Sequence, residues 1–372
     1  MVTINIDEMT KALAILDKIV RKTSVSPVLS GIKLTARQNS LTIDGTDLEI
    51  SAQVSIPCET GDTEFETVTQ LMPFSKAIRA FEDGQLDLEL AKQLTLRHPS
   101  KGTIKLSVLP AEMFPRIDYE KESLINEIAF DQVETLVGRF VASPDDPRQQ
   151  LTGVCLRLNA NGTAALGTDG VQVAMLRIDE TPQADEIDFI IPRRVVGLAA
   201  DLGKAEVFAG PNRASLVVES GSVRLKSQLI NANYPKIDHF FNLNAEPSLS
   251  LRLPLAEIQS ATEVSLACSG NLPLPVAQID VKDGEVLFRA TFQAADIRLM
   301  LHPLEANGNG SIRFNVAKVH NALRSAESEI TIEQFEKASK LIRFTSETRA
   351  GWAYLLAPII SVQNTGSEPE GE

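Results

Sequence analysis

The chain repeats itself, and that limits its fold more than any single residue does. Leu29-Ser30-Gly31-Ile32-Lys33-Leu34 matches Leu151-Thr152-Gly153-Val154-Cys155-Leu156 at an offset of 122 residues (29 to 151). Gly45-Thr46-Asp47 matches Gly167-Thr168-Asp169 at the same offset. Leu109–Asp118 matches Leu229–Asp238 at an offset of 120 residues (109 to 229). A chain of 372 residues has room for a third copy of such a unit. Ala277–Val281, the Asp283-Gly284 turn and Val286–Arg298 supply one, with Tyr354–Pro358 placed where Tyr234-Pro235 would recur. The expected fold class is α+β: three repeated domains over 1–122, 123–245 and 246–360, with a disordered acidic tail over 361–372.

Each copy reads as strand, helix, strands, helix, strands. In the first, Val2–Ile6 alternates as a strand, Asp7 is the expected N-cap, and Met9, Leu13, Leu16 and Val20 mark a helical face. Ile32–Leu34, Ser40–Ile43 and Leu48–Ile56 read as strands, with Asp44-Gly45 as the turn between two of them. A second helix carries Phe74, Ala77, Ile78 and Phe81, with Pro73 in its first turn. Phe130–Phe140 and Pro192–Leu202 are the expected helices of the second copy, Leu255–Val264 and Val316–Ala326 those of the third.

Chemistry of the catalytic kind is missing from the pattern. Asp145-Asp146 is an adjacent carboxylate pair in a Pro-flanked loop, and Asp47 and Asp169 recur with the repeat as turn-capping residues would. His98, His239, His302 and His320 lack metal-ligand spacing, and no phosphate-binding GxxxxGK[ST] loop occurs. The reading is a non-enzyme that needs no cofactor and no metal. Cys58, Cys155 and Cys268 lie far apart, as free thiols in a reducing compartment do. The N-terminus lacks a signal-peptide pattern and no apolar run is long enough to span a membrane, so a cytoplasmic location is expected. A net charge of −13 repels nucleic acid on average but permits a local basic surface. Basic residues do gather on the expected helices: Lys11, Lys18, Lys76, Arg79, Arg139, Arg193, Arg194, Lys318 and Arg324.

Pro27–Ile32, Gly45–Ile50, Val108–Pro115, Gly167–Gly170, Ile191–Arg194, Tyr234–Ile237, Phe314–Val316 and Ala353–Pro358, in this order, resemble the bacterial sliding clamp, the β subunit of DNA polymerase III. The resemblance runs over residues 1–360. It implies a head-to-tail homodimeric ring around double-stranded DNA, held without sequence preference. Its implied partners are the polymerase III α subunit, a clamp loader and other proteins carrying clamp-binding motifs.

Site residues follow from the same resemblance. Implied DNA contacts are Lys11, Lys18, Lys22, Lys76, Arg79, Arg139, Arg148, Arg193 and Arg194, with Arg193 and Arg194 foremost. Diffuse phosphate attraction would let such a ring slide, whereas base contacts would pin it. The implied peptide pocket comprises Leu151, Thr168, Gly170, Val171, Gln172, Val173, Pro235, Phe240, Asn315, Leu355, Ala357 and Pro358, with Arg148 also at its edge. An apolar cleft with a few polar groups suits a hydrophobic peptide anchor. For the dimer contact, Thr103–Val108 and the segment near Leu272–Ile279 are the expected edges, with Ile78, Phe81, Leu106, Leu272 and Leu274 as apolar contacts. Ordinary core packing is the competing explanation for these apolar residues, and a solvated helix face for the basic ones.

The pocket is also where the chain departs from the family. Val171-Gln172-Val173 stands where His-Arg-Leu is usual, Lys318 replaces an aromatic, and Ala357-Pro358-Ile359-Ile360-Ser361 replaces the usual ending. An altered motif preference is expected. Besides a replicative clamp, two readings stay open: a specialised clamp paralogue with a restricted partner, and a non-DNA scaffold that retains the fold.

Overall fold

The computed structural model describes residues 1–23, 26–237, 240–241, 246–335 and 341–359. The proposed disordered tail lies outside them. Element order confirms the α+β class and recurs along the chain. The first series is β1 (Val2–Asn5), α1 (Ile6–Leu16), β2 (Gly31–Arg37), β3 (Ser40–Thr46), β4 (Ile50–Glu59), β5 (Phe65–Gln70), α2 (Leu71–Ala80), β6 (Gln85–Leu90), β7 (Leu94–His98), β8 (Gly102–Leu106) and β9 (Val108–Leu109). The second is β10 (Ser123–Ala129), α3 (Phe130–Leu136), β11 (Gly153–Asn159), β12 (Gly162–Thr168), β13 (Gln172–Asp179), β14 (Ile187–Pro192), α4 (Arg193–Ala200), β15 (Lys204–Ala209), β16 (Ser215–Ser220) and β17 (Val223–Gln228). The third is β18 (Leu249–Pro254), α5 (Leu255–Ser269), β19 (Val276–Lys282), β20 (Glu285–Thr291), β21 (Asp296–Leu301), β22 (Glu305–Asn307), β23 (Gly310–Asn315), α6 (Val316–Leu323), β24 (Glu329–Gln334), β25 (Ile342–Thr345) and β26 (Trp352–Leu356).

Contacts divide the chain into two compact units, and neither coincides with a repeat. One joins Met1–Glu134 to Phe189–Ala232; the other joins Thr135–Asp188 to the chain from Asn233 onward. In the first unit the antiparallel strands run β10-β15-β16-β17-β4-β1-β6-β7-β8, so β17 of the second series pairs with β4 of the first. In the second unit β11-β12-β13-β26-β25-β24-β18-β22 form one sheet, where β26 of the third series pairs with β13 of the second. A smaller sheet there runs β21-β20-β19-β23. Apolar residues at alternate strand positions and on one stripe of each helix fill the cores. Met9, Leu13, Leu16, Phe74 and Ile78 are buried in the first unit, and Val316, Val319, Leu323, Phe344 and Tyr354 in the second.

Several local expectations change. Asn5, not Asp7, caps α1: its side chain accepts the amide of Glu8, and Asp7 sits in the first helical turn, where a negative charge favours the helix N-terminus. Asp44-Gly45 lies inside β3. The turn to β4 is Asp47-Leu48-Glu49, with Leu48 at φ 79°. Gly45 is small for another reason: a Cβ there would lie 2.8 Å from both Leu16 Cδ2 and Val20 Cγ2. The helix of the second series stops at Leu136, and Gly138–Phe140 continues as a 3-10 turn. Pro192 precedes α4 instead of starting it. Tyr354 is not the counterpart of Tyr234: it lies within β26, whereas Tyr234 follows the end of β17.

Candidate peptide pocket and nucleic-acid interface

The recurring Gly-Thr-Asp builds the same corner twice. Thr46 Oγ1 donates to the Ile50 carbonyl at 3.0 Å, and Thr168 Oγ1 to that of Gln172 at 2.6 Å. Asp47 Oδ1 accepts the amides of Glu49 and Ile50 at 3.1 and 2.8 Å; Asp169 Oδ1 accepts those of Val171 and Gln172 at 2.9 and 3.1 Å. Capping of this kind fixes a tight turn without any chemistry. The second carboxylate oxygen receives a cation in both places. Arg194 bonds Asp47 Oδ2 and also donates to the carbonyls of Lys18 and Ile19. Lys318 Nζ lies 2.5 Å from Asp169 Oδ2. Each cation sits in the first turn of the series' second helix. The two corners were legible as turns, but not as ion-paired locks, because the partner cations lie 147 and 149 residues away.

In the second unit, the Asp169 corner brings the predicted pocket residues together. Gln172 links Asp169 to Tyr354: its amide nitrogen donates to Asp169 Oδ2 at 3.0 Å, and its oxygen accepts the Tyr354 hydroxyl at 2.8 Å. Burial, and after it the Asp169 charge, pushes the Tyr354 phenol well above its ordinary range. Asn315 caps α6 by accepting the Lys318 amide. Val173 faces Leu355 across β13 and β26, and Ala357 donates its amide to the Val171 carbonyl. Gly170 has φ 91°, and a Cβ there would lie 2.6 Å from Arg148 Nη1. Arg148 reaches the Asp169 carbonyl at 3.0 Å and grips Asp146, whose carboxyl it holds down at about 2. Behind the wall, fully buried Arg157 makes a two-pronged pair with Asp188 at 2.7 Å and donates to the Pro235 carbonyl at 3.3 Å. Nothing in the local sequence announced Arg157 as the anchor of that wall.

Leu151, Thr168, Gln172 and Leu355 are themselves buried, so they support the floor and do not face an incoming chain. Gly170, Val171, Val173, Pro235, Phe240, Ala357 and Pro358 are each at least partly exposed. Two cations stand beside the Asp169 corner, Arg148 and Lys318, each already paired with a carboxylate.

The basic residues divide in the same way. Lys11 on α1, Lys76 and Arg79 on α2, and Lys22 beyond α1 are exposed, and no ion pair to a described residue holds them. Lys18 pairs with Asp201 at 2.5 Å, Arg193 with Glu134 at 3.5 Å, and Arg194 with buried Asp47. The two residues foremost for DNA are thus engaged with carboxylates of neighbouring elements, while 43% and 46% of their side chains stay exposed. Arg139 is half-buried, and Arg324 is exposed.

Among the expected dimer contacts, Ile78 and Phe81 are core residues, 0% and 2% exposed, with Phe81 stacked on His98. Core packing prevailed there because Ile78 lies on the inward stripe of α2 and Phe81, its C-cap, is buried directly after it. Leu272 and Leu274 are exposed, and Leu106 is partly so. The expected edge near Leu272–Ile279 is corrected as well. It enters β19, a central strand flanked by β20 and β23, and the edges of that sheet are β21 and β23.

A chain that repeats a module of two helices and antiparallel strands, and fuses neighbouring modules edge to edge, has the fold of a sliding-clamp subunit. The family models for the N-terminal and central domains of the DNA polymerase III beta subunit match residues 1–118 and 127–236. The chain belongs to this family. It is similar to the beta sliding clamp of Pseudomonas aeruginosa, 27% identical over 244 residues. That match covers 63% of this chain and spans only 65% of the relative's length. The beta sliding clamp of Staphylococcus epidermidis is 22% identical over 334 residues, covering 83% of this chain and 86% of the relative. In fold it is similar to the beta subunit from DNA polymerase of Streptococcus pyogenes, with TM-score 0.86, 18% identity and coverage of 97% and 100% of the two chains. The Pseudomonas aeruginosa DNA polymerase sliding clamp with ligand gives TM-score 0.86 at 20% identity, covering 96% and 99%.

Proposed function

We propose that this chain is a DNA sliding clamp: a head-to-tail homodimeric ring that encircles duplex DNA and tethers a replicative polymerase for processive synthesis. Each subunit contributes domains over 1–122, 123–245 and 246–360. The clamp is not a catalyst and works in the cytoplasm; a separate loader opens it. Its partners are double-stranded DNA, the polymerase III α subunit, the loader and other proteins with short clamp-binding motifs.

One observation carries this reading. Neighbouring repeats are fused twice by the same edge pairing, β17 with β4 in one unit and β26 with β13 in the other, and β8 and β21 belong to the strands left at sheet ends among the described residues. A head-to-tail series with two free ends either stays open or closes on another copy. The exposed cations Lys11, Lys22, Lys76 and Arg79 supply the sequence-independent attraction that a sliding ring needs. Retention on DNA tests the reading: protein loaded on nicked circular DNA should stay through gel filtration and leave when the circle is cut. Equal loss from circular and linear DNA would refute it.

The Lys318–Asp169–Gln172–Tyr354 chain favours a second, narrower reading, a specialised clamp with its own partner motif. Titration with a generic clamp-binding peptide separates the two, since affinity equal to an ordinary clamp's would remove the narrower one.

A further inference from the structure

The outer face of the four-stranded sheet carries a row of arginines. Arg313 of β23 stands opposite Gln278 of β19, Gln278 opposite Arg289 of β20, and Arg289 opposite Arg298 of β21. Residues directly opposite one another share a face, so all four project from one side. It is the side away from the core, since their sequence neighbours Ile279, Phe288, Ile297 and Phe314 are buried. A groove of ≈ 330 Å³ is lined there by the three arginines, Gln278 and Asp296, among others.

The row is short of negative charge. Arg289 pairs with Asp280 and Arg298 with Asp296, yet their side chains stay 45% and 68% exposed. Arg313 is partly exposed and has no ion pair to a described residue. Like charges directly opposite on neighbouring strands repel, and Arg289 and Arg298 are such a pair. An anionic segment laid over the row relieves that repulsion and gives Arg313 a carboxylate.

The sequence holds such a segment, and it starts beside the row. The Ile359 amide donates to the Arg313 carbonyl at 3.1 Å, along the edge of β23 that β19 leaves open. Residues 360–372 follow, with Glu368, Glu370 and Glu372 and neither Lys nor Arg. Three strand spacings, about 14 Å, separate β23 from β21. The nine residues from Ile359 to Glu368 (359 to 368) can span about 30 Å, enough to carry a carboxylate to any arginine of the row. We propose that the acidic segment 360–372 docks on this row, its glutamates against Arg313, Arg289 and Arg298. Tethered at Ile359, it acts as an intramolecular ligand at high effective concentration, so an acidic segment of another protein must displace it to reach the same face. The proposal depends neither on ring closure nor on DNA.

The test uses the full chain with a nitroxide on Ser367→Cys. Cys58 and Cys155 are buried, and the partly exposed Cys268 is changed to serine. The reporters are the methyl NMR signals of Leu287 and Met300, which stand opposite each other two residues along the strands from Arg289 and Arg298. Both should be bleached at low salt and recover at 1 M salt, where the Debye length is about 3 Å. They should also recover when Glu368→Gln, Glu370→Gln and Glu372→Gln are combined, a change that leaves the folded sheet untouched. Signals that are never bleached, or that stay bleached in the triple glutamine variant, overturn the proposal. A mixture of isotope-labelled chain without nitroxide and unlabelled chain with it reads contact between copies; bleaching confined to that mixture assigns the row to the tail of a second copy and overturns docking within one chain.

Discussion

Replacing Asp47 with alanine tests whether the recurring corner is a lock. The carboxylate is fully shielded from solvent, caps two amides and receives Arg194. A cap bond contributes about 1 kcal/mol, and a buried charge pair that loses one member costs about 3 kcal/mol at the low end. Arg194 is 46% exposed in its side chain and can be rehydrated, so the ion-pair share is discounted to about 1–2 kcal/mol. Asp47→Ala should thus destabilise the β3–β4 corner by about 3–4 kcal/mol, and Asp47→Asn, which keeps one capping oxygen, by about 1–2 kcal/mol. Hydrogen exchange by mass spectrometry on peptides spanning the Leu48 turn and the start of α4 reads both ends of the lock. Protection should fall by roughly two to three orders of magnitude in the alanine variant and about tenfold in the asparagine variant. Protection within about threefold of wild type for Asp47→Ala would refute the lock.

The remaining expectations concern the two surfaces. Lys11→Ala, Lys22→Ala, Lys76→Ala and Arg79→Ala should each weaken DNA retention at all sequences and lower the salt slope by about one; Arg194→Ala should instead lower stability, read by thermal unfolding. Lys318→Ala leaves Asp169 with its amide caps and Gln172 but without a cation, and should change affinity for a clamp-binding peptide by about three- to tenfold, measured by calorimetry. Arg148 holds the Asp146 carboxyl at about 2, so the favourable contribution of this pair is present above the ordinary carboxylate range and fades as pH falls from there through about 2. In Arg148→Ala, carboxyl-carbon NMR should move the Asp146 midpoint up toward the ordinary range but short of it, because the amide of residue 148 still donates to Asp146 Oδ1 at 2.8 Å; an unchanged midpoint would mean that the Arg148 guanidinium is not the cause.

The sequence carried the repeat, the helix stripes and the recurring Gly-Thr-Asp turn because each rests on spacing or local chemistry. Met9, Leu13 and Leu16 are buried as their helical spacing demands, and Asp169 caps the turn its recurrence suggested. Asp44-Gly45 misled because its turn signal is local, whereas Gly45 answers to side chains of α1 that approach from the other side of β3. Arg193 and Arg194 look like free cations in one dimension and lose that status only when Glu134 and Asp47 arrive from distant elements. Ile78 and Phe81 likewise cannot be sorted between core and interface until the strands around α2 are placed.

The joints between repeats also set an order for synthesis. Val173 meets Leu355 across β13 and β26, and Ser51 meets Lys226 across β4 and β17. The separation is 182 residues in the first case (173 to 355). At roughly 5–20 residues per second, β13 emerges from the ribosome some 10–35 s before its neighbour exists. During that interval its main-chain donors and acceptors stay open to any extended segment nearby. Shielding of that nascent edge is a requirement of synthesis that the finished sheet, where β26 covers β13, no longer displays.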